Sequence, residues 1–428
     1  MNAELYLGID FGTSGARAIA IEATGQIAAE TRCQYLSSTP DADGWRETLW
    51  TLLDQLPDQI RRVLQAIAID GTSATVLLCD LSHKPLTPPL LYNDARGGIP
   101  RVAPVTSPAH SATSSLAKAL WWQKNLSSQR LRQACYLVHQ ADWLGSLLHG
   151  KPGISDYNNA LKLGYDPRTL SYPTWLQALD IRSWLPQVLA PGDEIAPIKL
   201  DVAKRFSIPH SCVIKAGTTD SIAAFLASGA GNPGEAVTSL GSTLVLKLLS
   251  PTAINDMSSG IYSHRLGQQW LVGGASNTGG AVLRHYFNDT ELQTLSQQID
   301  PSQPSGLDYY PLLTPGERFP INDAKLAPRL NPRPSSPVKF LHGLLESMAR
   351  IEAMGYRKLM ALGNCTIHRI YTAGGGAHNK TWQAMRHQAL EIEITPAGHT
   401  EAAYGAARLA TGPISQNSSS THTKNRHP

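Results

Sequence analysis

The chain has 428 residues, which is too long for one ordinary hydrophobic core, so its length predicts two domains. Its hydrophobic fraction of 42% is that of a globular protein, and no stretch approaches the roughly eighteen apolar residues that a membrane span needs. The net charge is only +4 and the basic residues form no stripe, which argues against nucleic acid as a partner. We therefore expect a slightly basic globular enzyme with neither a membrane nor a nucleic-acid partner.

The cysteines are scattered and odd in number. They are Cys33, Cys79, Cys135, Cys212 and Cys365. Because none is paired as CxxC, we expect free thiols in a reducing cytoplasm and neither a disulfide framework nor a zinc site. The amino terminus has no basic region followed by an apolar stretch, so no secretory signal is expected. The expected location is the cytoplasm.

The opening part of the chain alternates strand-like and helix-like segments. The expected strands are Leu5–Ile9, Ala16–Glu22, Ile27–Tyr35, Ala66–Ile69 and Thr75–Cys79. A helical segment, Trp45–Leu64, is interrupted by Pro57, which lacks the N–H that a continuous helix needs. This mixture of strands and helices predicts an α/β fold.

The middle of the chain is predicted to be mostly helical, from Ser114 to Ala190. A strand, Val213–Ala216, and an apolar helix, Ser221–Leu226, follow it. The run Gly229–Gly234 is rich in turn-forming residues and marks the expected domain border. The expected units are an N-terminal domain (1–230), a C-terminal domain (231–412) and a disordered tail (413–428).

The second domain repeats the pattern with which the chain opens. A strand (Ala236–Leu240), a tight turn (Gly241–Thr243) and a returning strand (Leu244–Leu249) follow the same order as the first hairpin. This similarity predicts two halves of related architecture that face one another. The remaining expected elements are a proline-rich loop (Pro301–Pro337), a long helix (Val338–Leu362), a strand (His368–Thr372), a helix (Asn379–Leu390), a strand (Glu391–Ile394) and a last helix (Glu401–Ala410).

The hairpin from Asp10 to Gly15 has the composition of an anion-binding turn. Successive backbone N–H groups in such a turn form a concavity for phosphate, and Gly12 and Gly15 permit a close approach. Thr13 and Ser14 add hydroxyl donors, and Asp10 can hold a Mg²⁺ ion through its water shell. The alternative is an ordinary Gly-rich turn capped by an aspartate. The hairpin itself is neither a Walker A loop nor a GxGxxG motif, and a strand, not a helix, follows it.

A second turn of the same kind is made of Gly241, Ser242 and Thr243. We expect it to grip phosphate from the other domain, because a nucleotide held between two domains needs a donor loop on each side. A plain hairpin without a ligand is the alternative. The two turns together favour the phosphate-binding interpretation of both.

Three consecutive glycines, Gly374, Gly375 and Gly376, stand between a predicted strand and a helix. They permit a flat or phosphorylated ligand to approach the backbone near a helix amino terminus. Asn379 is predicted to offer its amide to an adenine edge, and Trp382 to form a flat apolar wall. The alternative is a flexible connector.

Asp220 follows a predicted strand and begins an apolar helix. We expect it to act as the general base that accepts a proton from the attacking hydroxyl. The alternative is a helix N-cap. Phosphoryl transfer needs mainly positioning and charge neutralisation, so a base, a metal ion and two phosphate-binding turns would suffice.

Asp94 and Arg96 lie two residues apart in a loop of the first domain. A carboxylate and a guanidinium at this spacing suit recognition of a polyhydroxyl ligand, and a surface ion pair fits the spacing equally well. The histidines show no metal-ligand spacing and no arrangement with a nucleophile.

Taken in order, these segments resemble the FGGY family of carbohydrate kinases from Leu7 to about Ala410. The segments that carry the resemblance are Gly8–Ser14, Asn93–Arg96, Ala216–Ser221, Ser239–Thr243, Ala373–Asn379 and Ala402–Ala407. The resemblance implies a two-domain, actin/Hsp70-like ATPase fold with ATP and Mg²⁺ in the interdomain cleft. It also implies a sugar site deeper in the first domain, and closure of the domains that excludes water.

The resemblance further implies roles for individual residues. Asp220 becomes the catalytic base, and Asp10 and Thr13 become the metal and phosphate residues. The implied nucleotide contacts are Gly375, Gly376 and Asn379. The expected cofactors are therefore ATP and Mg²⁺.

Two departures from the family bear on the substrate. The chain is shorter than typical members, and xylulose kinases usually carry Gln-Met-His-Gly where this sequence reads Gly71-Thr72-Ser73-Ala74. Ser73 then occupies the position of a sugar-contacting histidine. The chain is more similar to the short pentulose kinases that act on D-ribulose, so we expect D-ribulose 5-phosphate as the product. The expected sugar-binding residues are Asp10, Ser73, Asp94 and Asp220.

Three alternatives to this assignment are considered. One is a D-xylulose kinase, and another is a sugar-independent ATPase of the actin/Hsp70 type. The third is a regulatory sugar-binding protein. The expected partners are ATP and a small sugar, with the chain acting as a monomer or a homodimer.

Overall fold

The computed structural model describes residues 4–35, 37 and 41–412, and the expected tail lies outside the described residues. The strands are β1 (Leu5–Phe11), β2 (Gly15–Glu22), β3 (Ile27–Gln34), β4 (Leu64–Gly71), β5 (Val76–Cys79), β6 (Tyr136–His139), β7 (Ile154–Asp156), β8 (Gln187–Leu189), β9 (Glu194–Pro197), β10 (Val213–Lys215), β11 (Thr218–Thr219), β12 (Glu235–Leu240), β13 (Leu244–Ser250), β14 (Tyr262–Leu266), β15 (Gln269–Ser276), β16 (Arg369–Ala373) and β17 (Glu393–Pro396). The helices are α1 (Ala42–Gln55), α2 (Asp58–Arg61), α3 (Ser115–Asn125), α4 (Ser128–Gln133), α5 (Gln140–His149), α6 (Thr174–Gln177), α7 (Leu200–Phe206), α8 (Asp220–Ala227), α9 (Gly280–Tyr286), α10 (Asp289–Ser296), α11 (Pro337–Gly363), α12 (Lys380–Leu390) and α13 (Ala402–Ala410).

Two mixed sheets form the frame of the molecule. The first has the strand order β3-β2-β1-β4-β10-β9, with β11 paired to β4, and the second has the order β14-β15-β13-β12-β16-β17. In the first sheet the antiparallel strands β3-β2-β1 lead to the parallel partners β4 and β10. In the second, β15-β13-β12 lead in the same way to β16 and β17. The predicted two-domain α/β fold is confirmed, and both halves share this arrangement of strands.

Each sheet has a hydrophobic core of its own. In the first core, Leu7 and Ile9 of β1 pack with Trp45 of α1. In the second, Leu246 of β13 packs with Tyr356 of the long helix α11. Separate cores are what a chain of this length requires, because one core stops growing well before 400 residues.

Several local expectations are tested by these elements. The predicted interruption at Pro57 is confirmed, since α1 ends at Gln55 and α2 begins at Asp58. The predicted, mostly helical segment 114–190 also contains the strands β6, β7 and β8, which the sequence analysis missed. Strands of three or four residues are too short to show a clear alternation of apolar and polar positions.

The last helix packs on the first sheet, far from its neighbours in sequence. A Cβ atom on Gly8 of β1 would overlap the backbone of Ala403, and one on Gly405 would overlap the backbone of Ala223 in α8. Such close approach is possible only where a side chain is absent. The helix α13 is therefore wedged between β1 and α8, and it fixes the distance between them.

Two general features of the described chain complete the fold. None of the helices in residues 4–35, 37 and 41–412 combines the length and apolarity needed to span a membrane. The cysteines are all free thiols, and Cys79 and Cys212 are buried.

A fully buried ion pair joins α11 and α12. Arg386 Nε and Nη2 donate to the two carboxylate oxygens of Glu352 at 2.6 and 2.7 Å, and both side chains are 1% exposed. The Thr238 hydroxyl donates to Glu352 Oε1 at 2.5 Å, and Arg386 Nη1 donates to the Thr372 hydroxyl at 3.0 Å. The pair thus ties both helices to β12 and β16.

We expect Glu352→Ala to lower the free energy of unfolding by about 3–5 kcal/mol, because it leaves the buried Arg386 guanidinium unpaired. The exposed pair of Arg369 and Glu393, 3.2 Å apart, provides the matched control. Glu393→Ala should cost less than about 1 kcal/mol. Urea unfolding followed by circular dichroism measures both, and equal losses in the two variants would contradict the prediction.

Candidate active site

Three aspartates meet at the edge where β1, β4 and β11 end. Asp10 and Asp70 are partners in the parallel register of β1 and β4, and Thr218 of β11 pairs with the same Asp70. Asp220 follows β11 directly as the first residue of α8. Because neighbouring parallel strands end at one edge of the sheet, these carboxyl groups from distant parts of the chain come together.

Burial dominates the electrostatics of Asp10 and Asp70. Asp70 is 0% exposed, and burial raises the pKa of its carboxyl well above the ordinary range, with further rises from the neighbouring carboxyl groups of Asp10 and Asp220. Burial also raises the pKa of Asp10, and so does the charge of Asp220. A hydrogen bond to Asp70 and the charge of Arg17 oppose that rise. The pair is therefore costly to hold as two free anions.

Asp220 lies against the amino terminus of its own helix. The backbone N–H of Ser221 donates to its Oδ1 at 2.6 Å. Burial raises the pKa of Asp220, while that N–H and the positive charges of Lys247 and Lys162 oppose the rise. The residue at the N-cap of α8 is Thr219, so the alternative in which Asp220 caps the helix is not realised.

Two lysines that the sequence analysis did not select act on Asp220. Lys247, in β13 of the second sheet, donates to the backbone carbonyl oxygen of Ser221. Burial lowers the pKa of Lys247 to about 8, against the opposing effect of Asp220. The charge of Lys162 shifts the pKa of both Asp220 and Lys118. Lys247 is a charged residue inside the apolar strand β13, and this position could have marked it as a candidate site residue. Nothing in the sequence distinguished Lys162.

The first hairpin lies immediately beyond Asp10. The Gly12 N–H donates to the Gly15 carbonyl at 3.0 Å, and the Tyr35 hydroxyl donates to the Gly12 carbonyl at 3.1 Å. Thr13 and Ser14 are exposed at its tip, and their hydroxyls make no hydrogen bond within the described residues. The Tyr35 hydrogen bond therefore stabilises the turn, and the Thr13 and Ser14 hydroxyls remain accessible to a ligand.

The second hairpin joins β12 to β13 at the corresponding place in the second sheet. The start of α9 supports it, since the Gly280 N–H donates to the Gly241 carbonyl at 2.8 Å. Arg284 Nη2 donates to the Ser242 hydroxyl oxygen at 3.0 Å. Ser242 is exposed and Thr243 is half-buried. The two predicted turns thus occupy equivalent positions in the two related sheets.

The Gly-rich segment is pressed against the end of β12. Gly374 has φ +86°, and a Cβ there would lie 2.7 Å from the Leu240 carbonyl oxygen. A Cβ on Gly376 would lie 2.6 Å from the Trp382 ring, whereas Gly375 faces open space. Because Leu240 directly precedes Gly241, the structure brings the Gly-rich segment next to the second hairpin.

Asn379 and Trp382 are engaged within the protein. Asn379 Oδ1 caps α12 by accepting from the Trp382 backbone N–H at 3.0 Å, and its Nδ2 donates to the Ser296 hydroxyl oxygen at 2.8 Å. The Trp382 side chain is 2% exposed and belongs to the second core. These contacts give Asn379 a capping role and Trp382 a packing role, and direct contact of either side chain with adenine stays a prediction.

A cavity between α8 and the second sheet connects these parts. Its lining includes Ser221, Phe225, Ser239, Lys247, Gly374 and Gly375. One wall is the helix that begins with Asp220, and the other is the sheet that carries the second hairpin. An elongated ligand in this cavity would therefore extend from the Gly-rich segment towards Asp220.

Asp94 and Arg96 form the ion pair that was the alternative to ligand recognition. Arg96 Nε donates to both Asp94 oxygens at 3.0 and 2.9 Å, and its guanidinium lies over the Trp121 ring at 5.0 Å. Burial would raise the pKa of Asp94, but hydrogen bonds and charge from Arg96, with the charge of Lys118, hold it below its usual value. Asp94 remains an anion at the surface of the first domain.

The turn that carries Ser73 is held from two sides. Gln140 Oε1 accepts from the backbone N–H of Thr72 at 3.0 Å and from its hydroxyl at 2.9 Å. Lys118, which is 0% exposed, donates to the Ala74 carbonyl at 2.6 Å, and Ala74 adopts φ +62°. Ser73 is partly exposed and makes no hydrogen bond in the part of the chain that the structure describes. Its hydroxyl is thus presented on a rigid turn.

The carboxylates fit the expected Mg²⁺ only as a partial ligand set. Among the described residues, no group of three or more His, Cys, Asp or Glu side chains is arranged to hold a metal ion. When both acids are ionised, Asp10 Oδ1 and both oxygens of Asp70 are buried without a hydrogen-bond donor. Magnesium commonly binds one or two carboxylates together with substrate phosphates, so this donor set suits it.

Comparisons with known proteins show the family to which the chain belongs. Residues 5–227 match the N-terminal domain and residues 236–411 the C-terminal domain of the FGGY family of carbohydrate kinases. The chain is 27% identical to a xylulose kinase of Escherichia coli (strain K12), over 95% of this chain and 89% of that protein. It is 24% identical to a gluconokinase of Bacillus subtilis (strain 168), over 95% and 88% of the two chains.

Solved structures show the same fold. The crystal structure of a xyloylose kinase from Brucella ovis superposes with a TM-score of 0.83 at 23% identity, covering 95% of this chain and 90% of the other. A glycerol kinase from Plasmodium falciparum, crystallised with ADP, superposes with a TM-score of 0.80 at 15% identity, covering 95% and 89%.

We expect Lys247→Met to raise the pKa of the Asp220 carboxyl further, because a nearby cation favours the ionised acid. Lys247→Arg keeps the charge and should leave that pKa almost unchanged. Infrared titration of the carboxyl bands, with Asp220→Asn subtracted to identify the signal, measures the shift. A pKa unchanged in Lys247→Met would show that Lys247 does not act on Asp220.

Proposed function

The chain belongs to the FGGY family of carbohydrate kinases, and on this premise we propose that it phosphorylates D-ribulose at its terminal hydroxyl. The family membership makes it an enzyme that transfers phosphate from ATP to a sugar. A sugar-independent ATPase and a purely regulatory sugar-binding protein are set aside by the same finding. The proposal concerns the identity of the sugar and the roles of the residues.

The observation that carries the substrate proposal is the turn at Ser73. Xylulose kinases usually present a histidine at this position, whereas this chain presents a short hydroxyl that has no partner of its own. The serine side chain is shorter than that of histidine. A shift of the turn towards the sugar would break its hydrogen bonds to Gln140 and Lys118, so the backbone does not compensate for the shorter side chain. A different set of sugar hydroxyls is therefore recognised, and this supports a pentulose other than D-xylulose.

Asp220 is proposed as the general base. Its carboxylate takes the proton of the sugar's terminal hydroxyl as that oxygen bonds to the γ-phosphorus of ATP. The bond between the γ-phosphorus and the bridging oxygen breaks, ADP leaves with the electron pair, and the sugar phosphate forms. Lys247 and Lys162 favour the ionised form of Asp220 that this step needs.

The two hairpins are proposed to hold the phosphates from opposite sides. Thr13 and Ser14 offer backbone and hydroxyl donors from the first sheet, and Ser242 and Thr243 do so from the second. Bound Mg²⁺ would neutralise negative charge on the phosphates, with Asp10 as its proposed protein ligand. Closure of the two halves would bring the hairpins together and exclude water from the phosphoryl group.

Phosphorylation of D-xylulose is the second candidate. It is favoured by the relative named xylulose kinase, which aligns over 95% of this chain. The same family also contains relatives named gluconokinase, so the overall similarity does not select the sugar. We further propose a cytoplasmic monomer or homodimer, in keeping with the free thiols.

A coupled ADP-release assay over D-ribulose, D-xylulose, L-ribulose, gluconate and glycerol tests the substrate. The proposal requires the highest kcat/KM with D-ribulose. A higher value with D-xylulose would replace the first candidate by the second, and release of ADP at the same rate without any sugar would remove both.

We expect Ser73→His to lower the ratio of kcat/KM for D-ribulose to that for D-xylulose by at least about tenfold, since a misplaced hydrogen-bonding group costs 1–3 kcal/mol. Ser73→Ala serves as the control for loss of the hydroxyl without added bulk. An unchanged ratio in Ser73→His would mean that this side chain does not contact the sugar.

We expect Asp220→Asn to reduce kcat by about 10²–10⁴-fold, because the amide cannot accept the proton. The Kd for ATP, measured by calorimetry, should change little, since Asp220 is not proposed to contact the nucleotide. In the wild type, kcat/KM should fall as the pH drops through the raised pKa of Asp220, because the base is then protonated. Near-normal turnover of the variant would refute the assignment.

A further inference from the structure

Buried polar atoms without a partner are concentrated at one place in the first sheet. In the described chain, Asp10 Oδ1, Asp70 Oδ1 and Asp70 Oδ2 are all buried and receive no hydrogen bond while both acids are ionised. They lie at the common edge of β1 and β4, where Asp10 pairs with Asp70. Folded proteins leave few such atoms, and each needs a cause such as a bound ion, a water or a function. A cluster of them indicates a polar ligand.

Asp70 is the extreme member of this group. Its side chain is 0% exposed, and its one bonding partner is the Asp10 carboxyl, which can form that hydrogen bond only while one of the two acids keeps its proton. A buried carboxylate beside a second carboxylate costs several kcal/mol unless a cation or donors compensate it. When both acids are ionised, no described group donates to Asp70, so a partner that neutralises its charge then has to come from outside the described chain.

The nearby protein cations are committed elsewhere. Arg17 pairs with Glu30 and Glu401, and Lys247 donates to the backbone of Ser221. Neither contacts Asp70. The compensation that Asp70 needs is therefore not available from the side chains around it.

We propose that Asp70 is the second protein carboxylate of the magnesium site, and that it holds the divalent cation of ATP jointly with Asp10. This inference rests on the proposed ATP-dependent phosphoryl transfer. Ionised carboxylate oxygens only accept hydrogen bonds, so they suit either the ion itself or the water molecules of its shell.

The position of Asp70 is fixed on both sides of its strand. Its partners in the register are Asp10 of β1 and Thr218 of β11. One residue later begins the turn that presents Ser73, which Gln140 holds through Thr72. The proposed metal carboxylate and the proposed sugar-contacting turn therefore lie next to each other at the end of β4. We expect metal binding to change the affinity of the turn for the sugar.

Binding of Mn²⁺ in the presence of ADP, followed by electron paramagnetic resonance, tests the proposal without any sugar or turnover. We expect Asp70→Asn to weaken Mn²⁺ binding at least about tenfold, as removal of a supporting metal ligand commonly does. The matched control is Asp58→Asn, whose exposed carboxylate pairs with Arg62. Unchanged Mn²⁺ affinity in Asp70→Asn overturns the proposal.

The outcomes separate this inference from the proposed function. If the wild type binds no Mn²⁺–ADP at all, the ATP-dependent function fails. If the wild type and Asp70→Asn bind it equally, only the role of Asp70 fails. Without metal, Asp70→Asn should unfold at the same temperature as the metal-free wild type or higher, because the variant lacks a buried ionisable group.

A measurement on the wild type covers the case in which Asp70→Asn does not fold. Fe²⁺ is bound in place of Mg²⁺ with ADP, and ascorbate and peroxide are added to cleave the backbone near the ion. Mass spectrometry should then find cuts near both Asp10 and Asp70, and excess Mg²⁺ should suppress them. Cuts near Asp10 alone would contradict the proposal.

Discussion

The parallel pairing of β1, β4 and β11 is the constraint on which the site depends. It fixes Asp10 opposite Asp70 and brings the start of α8, with Asp220, to the same edge of the first sheet. A shift of one residue in either pairing would turn the side chains of a strand to the other face, because the side-chain period of a strand is two. The first hairpin, the turn at Ser73 and the helix α8 all leave the sheet from this edge. Their relative positions follow from the hydrogen bonds of three short strands.

The second constraint is the repetition of this arrangement in the second sheet. Related strand orders place the hairpin after β12 where the hairpin after β1 lies in the first half. The chain's last helix, α13, crosses back to pack on β1 and α8, and Glu401 just before it pairs with Arg17. The two halves are therefore joined close to the site. Lys247 belongs to the second sheet and donates to the Ser221 carbonyl beside Asp220 in the other half. Its positive charge opposes the rise in the pKa of Asp220.

Burying the three carboxyl groups of the site lowers the free energy of unfolding. Burial raises the pKa of all three aspartates, which shows that the fold alone does not favour their charged forms. Fully satisfied buried charges look different here: Glu352 and Arg386 meet each other and two hydroxyl groups. The contrast separates charged groups that other side chains compensate from carboxyl groups that the described chain leaves uncompensated. Binding of a metal–nucleotide complex would then release part of the cost.

The local parts of this protein could be predicted from its amino-acid sequence alone. The two turns, Asp220 at the head of its helix and the Gly374–Gly376 segment could be recognised because each depends on neighbouring residues and on backbone propensities that act over a few positions. Asp70 and Lys162 could not be recognised, because their position in the site follows from strand register and tertiary contacts. The same holds for Asn379 and Trp382, whose capping and packing roles depend on Ser296 and on the second core. Only the tertiary structure decided which charges are buried and unpartnered, since burial is a property of the whole packed chain and not of any segment.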